Sequence, residues 1–198
     1  MKVLLIDNYD SFTYNIVELL RCLHIRNFTV VKNDEISIDT ARTFNKVIIS
    51  PGPDLPAAAG NILSIIQALA PTHSILGICL GHQAIAEAFG AVLKNEVVPY
   101  HGFQTSLQVV KRHRIFYGIH GEEGDYDQPL RVGLYHSWTV EENSLPSCLE
   151  VTSYSTEGNI MSLKHKAFDL HGVQFHPESY MTDFGKEILG NFLEVPDR

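Results

Sequence analysis

Apolar and polar positions follow two alternating periods along the first half of the chain. Val3–Ile6 is a short, unbroken apolar run inside Lys2–Asp7 and predicts a buried strand. Asp10 or Ser11 can then cap a helix whose apolar positions, Ile16, Leu19, Leu20 and Leu23, recur three and four apart on one face. Phe28–Lys32 and Lys46–Ser50 read as a second and a third strand. Pro51-Gly52-Pro53 can continue neither a strand nor a helix, so a loop leaves the third strand at once. A second helix places Ile62, Ile65, Ile66 and Leu69 on one side and stops before Pro71. Ser74–Ile78 is a fourth strand, and His82–Phe89 a helix ended by Gly90. Buried strands alternating with helices predict a parallel sheet covered on both faces.

The second half changes character. Gln104–Lys111, Leu130–Glu141, Leu149–Tyr154, Asn159–Lys164 and Leu170–Phe175 are rich in Val, Ile, Thr and Tyr, and short turns separate several of them. Thr156-Glu157-Gly158-Asn159 predicts a hairpin turn, so some of these strands are expected to run antiparallel. Arg112–Pro129, polar and glycine-containing, reads mostly as loop. A last helix is expected from about Thr182, burying Phe184, Ile188, Leu189 and Phe192. No repeat, low-complexity run or linker divides the chain. The expectation is one α/β domain over residues 1–198, with a central, mostly parallel mixed sheet and antiparallel strands in the C-terminal half.

Composition narrows the functional classes. The chain has 198 residues, 44% of them hydrophobic and 19% charged, which is globular and neither disordered nor collagen-like. Fifteen Lys and Arg stand against twenty-three Asp and Glu, a net charge of −8. Nucleic-acid binders usually carry the opposite surplus, so none is expected as a partner. No apolar run approaches the roughly 18 residues needed to span a bilayer. Val3–Ile6 is also too short for a signal-peptide core of about 7–15 residues. Three cysteines, Cys22, Cys79 and Cys148, form an odd and sparse set. Together these point to the reducing cytoplasm, with no disulfide framework.

Candidate chemistry concentrates at three places. Gly77-Ile78-Cys79-Leu80-Gly81 is G-x-C-x-G between an expected strand and an expected helix, the context in which G-x-S-x-G forms a nucleophile elbow. A thiol there stands at the strand's carboxyl end and at a helix N-terminus, whose peptide dipoles favour the attacking thiolate. The alternative for any cysteine is a structural thiol, the reading taken for Cys22 and Cys148. A cysteine nucleophile needs a base, and the base an orienting group. Among ten histidines, His176 stands out because Glu178 lies two residues on. In an extended segment both project to one side. A carboxylate there fixes the imidazole's tautomer and stabilises the imidazolium. The same H-x-E begins a zinc-deaminase motif, but no P-C-x-x-C follows, so no metal is expected. His24, His73, His113, His120, His165 and His171 read as surface residues. For a developing oxyanion, backbone N–H groups at tight turns serve best. Leu80, after the cysteine, is one candidate. Gly52 is the other, the single donor between two prolines, in a loop that also leaves a strand's carboxyl end.

PGP at 51–53, GICLGHQ at 77–83 and GVQFHPES at 172–179 resemble the class I, triad-type glutamine amidotransferases, in order and spacing over nearly the whole chain. The opening DNYDSFTYN at 7–15 is similar to the small subunits of anthranilate and aminodeoxychorismate synthases. The resemblance implies a flavodoxin-like α/β fold, Cys79 as nucleophile, His176 as general base and acid, and Glu178 as orienter. It implies Gly52 and Leu80 as oxyanion donors and Gln83 as a substrate contact. Ser137 and Trp138 fall where backbone groups hold the α-amino and carboxylate end of glutamine. It implies glutamine as substrate, a chorismate-using synthase as the partner that receives ammonia, and no cofactor in this chain. The alternatives are a stand-alone γ-glutamyl hydrolase and an amidotransferase of another pathway. A catalytically dead binding module fits poorly with an intact Cys79, His176 and Glu178.

Three places depart from the family pattern. Trp138 stands where Leu is usual, with Leu134 where Arg is usual, which puts a nearby surface contact in doubt. His101-Gly102-Phe103-Gln104 lacks a Lys and carries an extra residue. Asp54 follows Pro51-Gly52-Pro53 where Gly is common. None of these touches the expected triad.

Overall fold

The computed structural model describes residues 1–119 and 130–194. The elements of the first half are Val3–Asp7 (β1), Thr13–Cys22 (α1), Phe28–Lys32 (β2), Ile38–Ala41 (α2), Lys46–Ile49 (β3), Ile62–Leu69 (α3), Ser74–Ile78 (β4) and Leu80–Ala88 (α4). Those of the second half are Leu93–Val109 (β5), Leu130–Val140 (β6), Leu149–Ser155 (β7), Ile160–His165 (β8), Leu170–Val173 (β9) and Gly185–Leu193 (α5). All the strands join one sheet in the order β2-β1-β3-β4-β9-β8-β7-β5-β6. From β2 to β9 the pairings are parallel, and from β9 to β6 they are antiparallel. The mixed sheet expected from the sequence is therefore present, its antiparallel half as developed as its parallel half.

The pleat explains why the first strands read as continuous apolar runs. Val3 and Leu5 join Ile48, Leu76 and Ile78 on one face, which α1 and α5 cover with Ile16, Leu20, Ile188, Leu189 and Phe192. Leu4 and Ile6 join Val47, Ile49 and Ile75 on the other, beneath Ile62, Ile65, Ile66 and Leu69 of α3 and Ala84 and Ile85 of α4. Each such aliphatic side chain contributes roughly 1.5–3 kcal/mol by leaving water. The hairpin turn between β7 and β8 falls at 156–159, with Gly158 at φ 86°.

Several expectations are corrected. Neither Asp10 nor Ser11 caps α1. Phe12 occupies the cap position, and the Asp10 carboxylate instead accepts the Phe12 N–H at 2.7 Å. The last helix begins at Gly185, not Thr182, and Phe184 before it is half exposed. A Cβ on Gly185 would sit 1.7 Å from the Pro177 carbonyl oxygen, so the chain crosses itself there before the helix starts. Strand β5 begins eleven residues earlier than expected, at Leu93 in place of Gln104. His113, His165 and His171 are buried, and burial pushes the His113 imidazole down to about 3. The expected loop at Arg112–Pro129 lies in part outside the described residues, as does His120. Within it, Arg114–Phe116 forms a 3₁₀ turn.

The two glycines of G-x-C-x-G pack helix against sheet. A Cβ on Gly77 would lie 2.2 Å from the Gly81 carbonyl oxygen, and one on Gly81 would lie 2.5 Å from that of Ile49. Both obstacles are backbone, so relief requires α4 to move. Gly77→Ala and Gly81→Ala are each expected to destabilise the fold by about 2–3 kcal/mol, read as a lowered midpoint in urea. An unchanged midpoint would show that α4 sits less tightly on β3 and β4 than these distances require.

Candidate active site

Strands β4 and β9 are parallel neighbours with Ile78 opposite Val173, so whatever follows each strand emerges side by side. Cys79 follows one and Gln174-Phe175-His176 the other. The Cys79 N–H donates to the Val173 carbonyl at 2.8 Å, tying the two exits together. Cys79 has φ 51° and ψ −102°, and α4 starts at the next residue. The sharp turn is thus taken by the cysteine itself, a conformation that costs a non-glycine residue about 1–3 kcal/mol. It presents the sulfur at the helix N-terminus, with the residue only 5% exposed.

His176 and Glu178 do point together. His176 Nδ1 lies 2.7 Å from Glu178 Oε1, and both side chains are buried. Burial pulls the imidazole's pKa down, but the nearby charges of Glu178 and Cys79, and the hydrogen bond to Glu178, outweigh it. The result stands well above the ordinary histidine value. His176 Nε2 makes no well-aligned hydrogen bond, which leaves it for the sulfur or for substrate. Phe12 and Tyr135 close edge-on around the ring, with centroids 5.1 and 4.9 Å away. Below, Thr182 Oγ1 donates to the His176 carbonyl at 2.6 Å and accepts the Gly133 N–H at 2.9 Å, fastening this segment to β6.

Cys79 opens into a cleft of about 270 Å³ lined by Gly52, Pro53, Asp54, Gln83, His101, Tyr135, His136, Ser137 and Trp138. Gly52, Gln83, Ser137 and Trp138 therefore reach the site expected of them. Leu80 is buried and can offer only its N–H, which as the first of α4 has no partner within the helix. Gly52 is wedged beside it. A Cβ there would lie 2.5 Å from Asn8 Cβ and 3.1 Å from Leu80 Cδ2. Asn8 holds this loop through the Ser50 carbonyl, accepting from Nδ2 at 2.7 Å, and through Ser50 Oγ, accepting from the Asn8 N–H at 2.9 Å.

Three contributors escaped the sequence reading. Gln174, fully buried, directs Nε2 at the Cys79 sulfur at 3.6 Å. Its Oε1 accepts from Gln83 Nε2 at 3.1 Å, and Gln83 also donates to the Trp138 carbonyl at 2.7 Å. One amide chain thus joins sulfur, helix and cleft wall. Phe12 is the second, carried by the DNYDSF turn. The third is His136, whose buried imidazole lines the cleft and is pushed down to about 4, so it is neutral.

A buried thiol, an imidazole ion-paired to a carboxylate, and two turn N–H groups can perform acyl transfer. The family model for glutamine amidotransferase class-I matches residues 4–195. The chain belongs to this family. The amidotransferase is 42% identical over 199 residues to anthranilate synthase component 2 of Azospirillum brasilense, covering 99% of this chain and 97% of that protein. It is 42% identical over 195 residues to aminodeoxychorismate/anthranilate synthase component 2 of Bacillus subtilis, covering 98% and 96%. Among solved structures, a protein from Thermoplasma acidophilum assigned to GMP synthase matches with a TM-score of 0.84 and 26% identity, over 98% of this chain and 93% of that one.

In this amidotransferase, Leu134 does not replace a surface contact. It is 1% exposed and packs in the core with Val132 and Phe175, which a bare charge could not do. Phe103 and Gln104 fall at an irregular stretch of β5, where pairing with β6 shifts register between His101 and Phe103.

Proposed function

We propose that the chain is the glutaminase subunit of a chorismate-using synthase that forms anthranilate or aminodeoxychorismate. The observation that carries this is the Cys79 sulfur, set at a strand-to-helix turn beside the buried His176–Glu178 pair and open to the cleft. The Cys79 thiolate attacks the side-chain amide carbon of glutamine, and the carbonyl oxygen becomes an oxyanion held by the N–H groups of Gly52 and Leu80. His176, as imidazolium, gives its proton to the departing nitrogen, releasing ammonia and leaving a γ-glutamyl thioester. Water attacks the thioester while His176 takes its proton, and glutamate leaves. Glu178 keeps the ring oriented and compensates its charge through both steps. Gln83 braces the cleft wall, while Ser137 and Trp138 line the space for the α end of glutamine. Every proton is moved by side chains of this chain, so the scheme calls on no cofactor.

Relatives with component 2 in their names support a partner that consumes the ammonia. The surface offered to it is the carboxyl-end rim of the sheet. Asn8 is buried beneath Tyr9, which is 56% exposed, and Val97, before His101, and Tyr180, after Ser179, are almost fully exposed. Three free thiols fit a cytoplasmic setting, and among the described residues no helix is long and apolar enough to cross a membrane.

The isolated chain is expected to be a poor glutaminase that its synthase activates. A partner seated on the Tyr9 turn reaches Gly52 through Asn8, and one misplaced oxyanion donor costs about 10²–10³ in rate. Glutamate release, titrated with the synthase partner with and without chorismate, should rise by a comparable factor. A kcat/KM that stays flat while the complex forms would contradict the proposal and favour a stand-alone γ-glutamyl hydrolase.

A further inference from the structure

We infer that Gln174 is a further catalytic residue, whose side-chain N–H steadies the Cys79 sulfur as a thiolate. Its part in glutamine hydrolysis rests on the glutaminase reading above. Gln174 is fully buried just beyond β9, where its backbone N–H donates to the Met161 carbonyl at 2.8 Å. Its side-chain Nε2 lies 3.6 Å from the sulfur, the atom that attacks. The steps of acyl transfer described so far leave this buried amide unused.

A chain of partners determines which end of the amide meets the sulfur. The Trp138 carbonyl can only accept, so Gln83 turns Nε2 toward it, at 2.7 Å. The same Nε2 donates to Gln174 Oε1 at 3.1 Å. With its oxygen turned to Gln83, Gln174 presents its NH2 group to Cys79. Reversing Gln83, alone or together with Gln174, would set oxygen against oxygen at Trp138. Reversing Gln174 alone would set N–H against N–H. The donor at the sulfur is therefore specified from the cleft wall, through β6, α4 and the exit of β9.

The chemistry follows from what each form of the sulfur can accept. A neutral thiol is a weak acceptor, and hydrogen bonds to an ionised acceptor are about twice as strong. An N–H aimed at a buried sulfur thus favours the anion over the thiol, and over the thioester, whose sulfur carries no charge. Before attack, this keeps more of Cys79 in the nucleophilic form. In hydrolysis of the thioester, the C–S bond breaks and its electron pair returns to sulfur, while the proton of the attacking water passes to His176. The Gln174 N–H already points to where that charge develops.

The test follows alkylation of Cys79 by iodoacetamide against pH, read on its peptide by mass spectrometry, with the exposed Cys22 of the same molecule as reference. Gln174→Met keeps the length of the side chain but removes its donor. It should raise the pH midpoint for Cys79 by about one unit, the weight of one charge-assisted hydrogen bond, and leave Cys22 unmoved. Gln83→Met cuts the same tie to the cleft wall but leaves the Gln174 amide beside the sulfur, where a thiolate itself selects the N–H end. Its midpoint should move clearly less. The titratable groups round the sulfur are common to both variants: His176 and Glu178 beyond β9, Tyr135 and His136 on β6, His101 on β5, Asp54 beyond β3, and His82 of α4 against Gly172. In the complex with the synthase, the acid limb of kcat/KM for glutamate release should rise with the midpoint in Gln174→Met. An unmoved Cys79 midpoint in that variant, or equal shifts in the two variants, overturns the proposal, because the amide then only braces the fold. The unaltered chain gives a check that does not depend on a variant folding. The Gln174 side-chain amide signal in a ¹⁵N NMR spectrum should shift through the same midpoint, and a signal indifferent to it overturns the proposal. A complex that releases no glutamate would instead defeat the glutaminase reading, while the alkylation midpoint still decides whether Gln174 steadies the thiolate.

Discussion

Replacing Cys79 by Ala or Ser is expected to abolish glutamine-dependent synthesis while leaving ammonia-dependent synthesis by the complex within about twofold of normal. In the proposed mechanism, removing the sulfur removes the nucleophile that attacks the amide carbon, and what turn N–H groups and binding then supply is typically only about 10³–10⁴ over the reaction in water. Serine keeps the position, but its hydroxyl holds its proton far more tightly than a thiol, so His176 cannot maintain it as an anion. In the proposed scheme added ammonia bypasses this chain, since amination takes place on the partner. The fold should survive either change. Cys79 is small and 5% exposed, and the turn is held by the Cys79 N–H to Val173, a backbone bond that both variants retain. Initial rates with glutamine and with ammonium salt, on one preparation, check both halves. Glutamine-dependent turnover persisting in Cys79→Ala would assign the nucleophile elsewhere.

His176→Ala is expected to lower glutamate release by about 10³–10⁴, and Glu178→Gln by at least tenfold less. In the proposed mechanism the imidazole moves two protons in each cycle, one onto the leaving nitrogen and one off water. The carboxylate moves none. It orients Nδ1 at 2.7 Å and supports the imidazolium by its charge. The pH profile separates these roles. Glu178 raises the pKa of His176, so its loss lowers that pKa, and the imidazolium needed to protonate the leaving nitrogen disappears at a lower pH. The alkaline limb of glutamate release should therefore move to lower pH in Glu178→Gln, alongside the fall in rate. Equal losses in the two variants, or an unmoved limb, would give Glu178 a different role.

The parallel half of the sheet was legible because β1, β3 and β4 are buried on both faces, and their apolar runs are bounded by residues that break structure. The start of β5 was not. Lys94, Asn95 and Glu96, then Pro99 and Gly102, give it the composition of a loop, and Val97 and Val98 are exposed to solvent. It is a strand because it pairs along β6 across two register shifts, a long-range fact without local signature. The site divides in the same way. The placement of Cys79 at a strand-to-helix turn and the pairing of His176 with Glu178 were readable because each depends on near neighbours: a G-x-C-x-G turn and a two-residue alternation. Gln174 and Phe12 act across the fold. Gln174 meets Cys79 because β9 lies beside β4, and Phe12 meets His176 because the exit from β1 leans over the same strand ends. The turn belongs to Cys79, at φ 51°, and the glycines give way to backbone at 2.2 and 2.5 Å.

The covalent intermediate tests the central claim most directly. The complex would be mixed with labelled glutamine, quenched in acid during steady turnover, digested and examined by mass spectrometry. The account predicts a γ-glutamyl group on the peptide containing Cys79, sensitive to hydroxylamine as a thioester is, and absent from Cys79→Ala. A turning-over complex with no such adduct, or with the label on Cys22, Cys148 or an oxygen nucleophile, would contradict it.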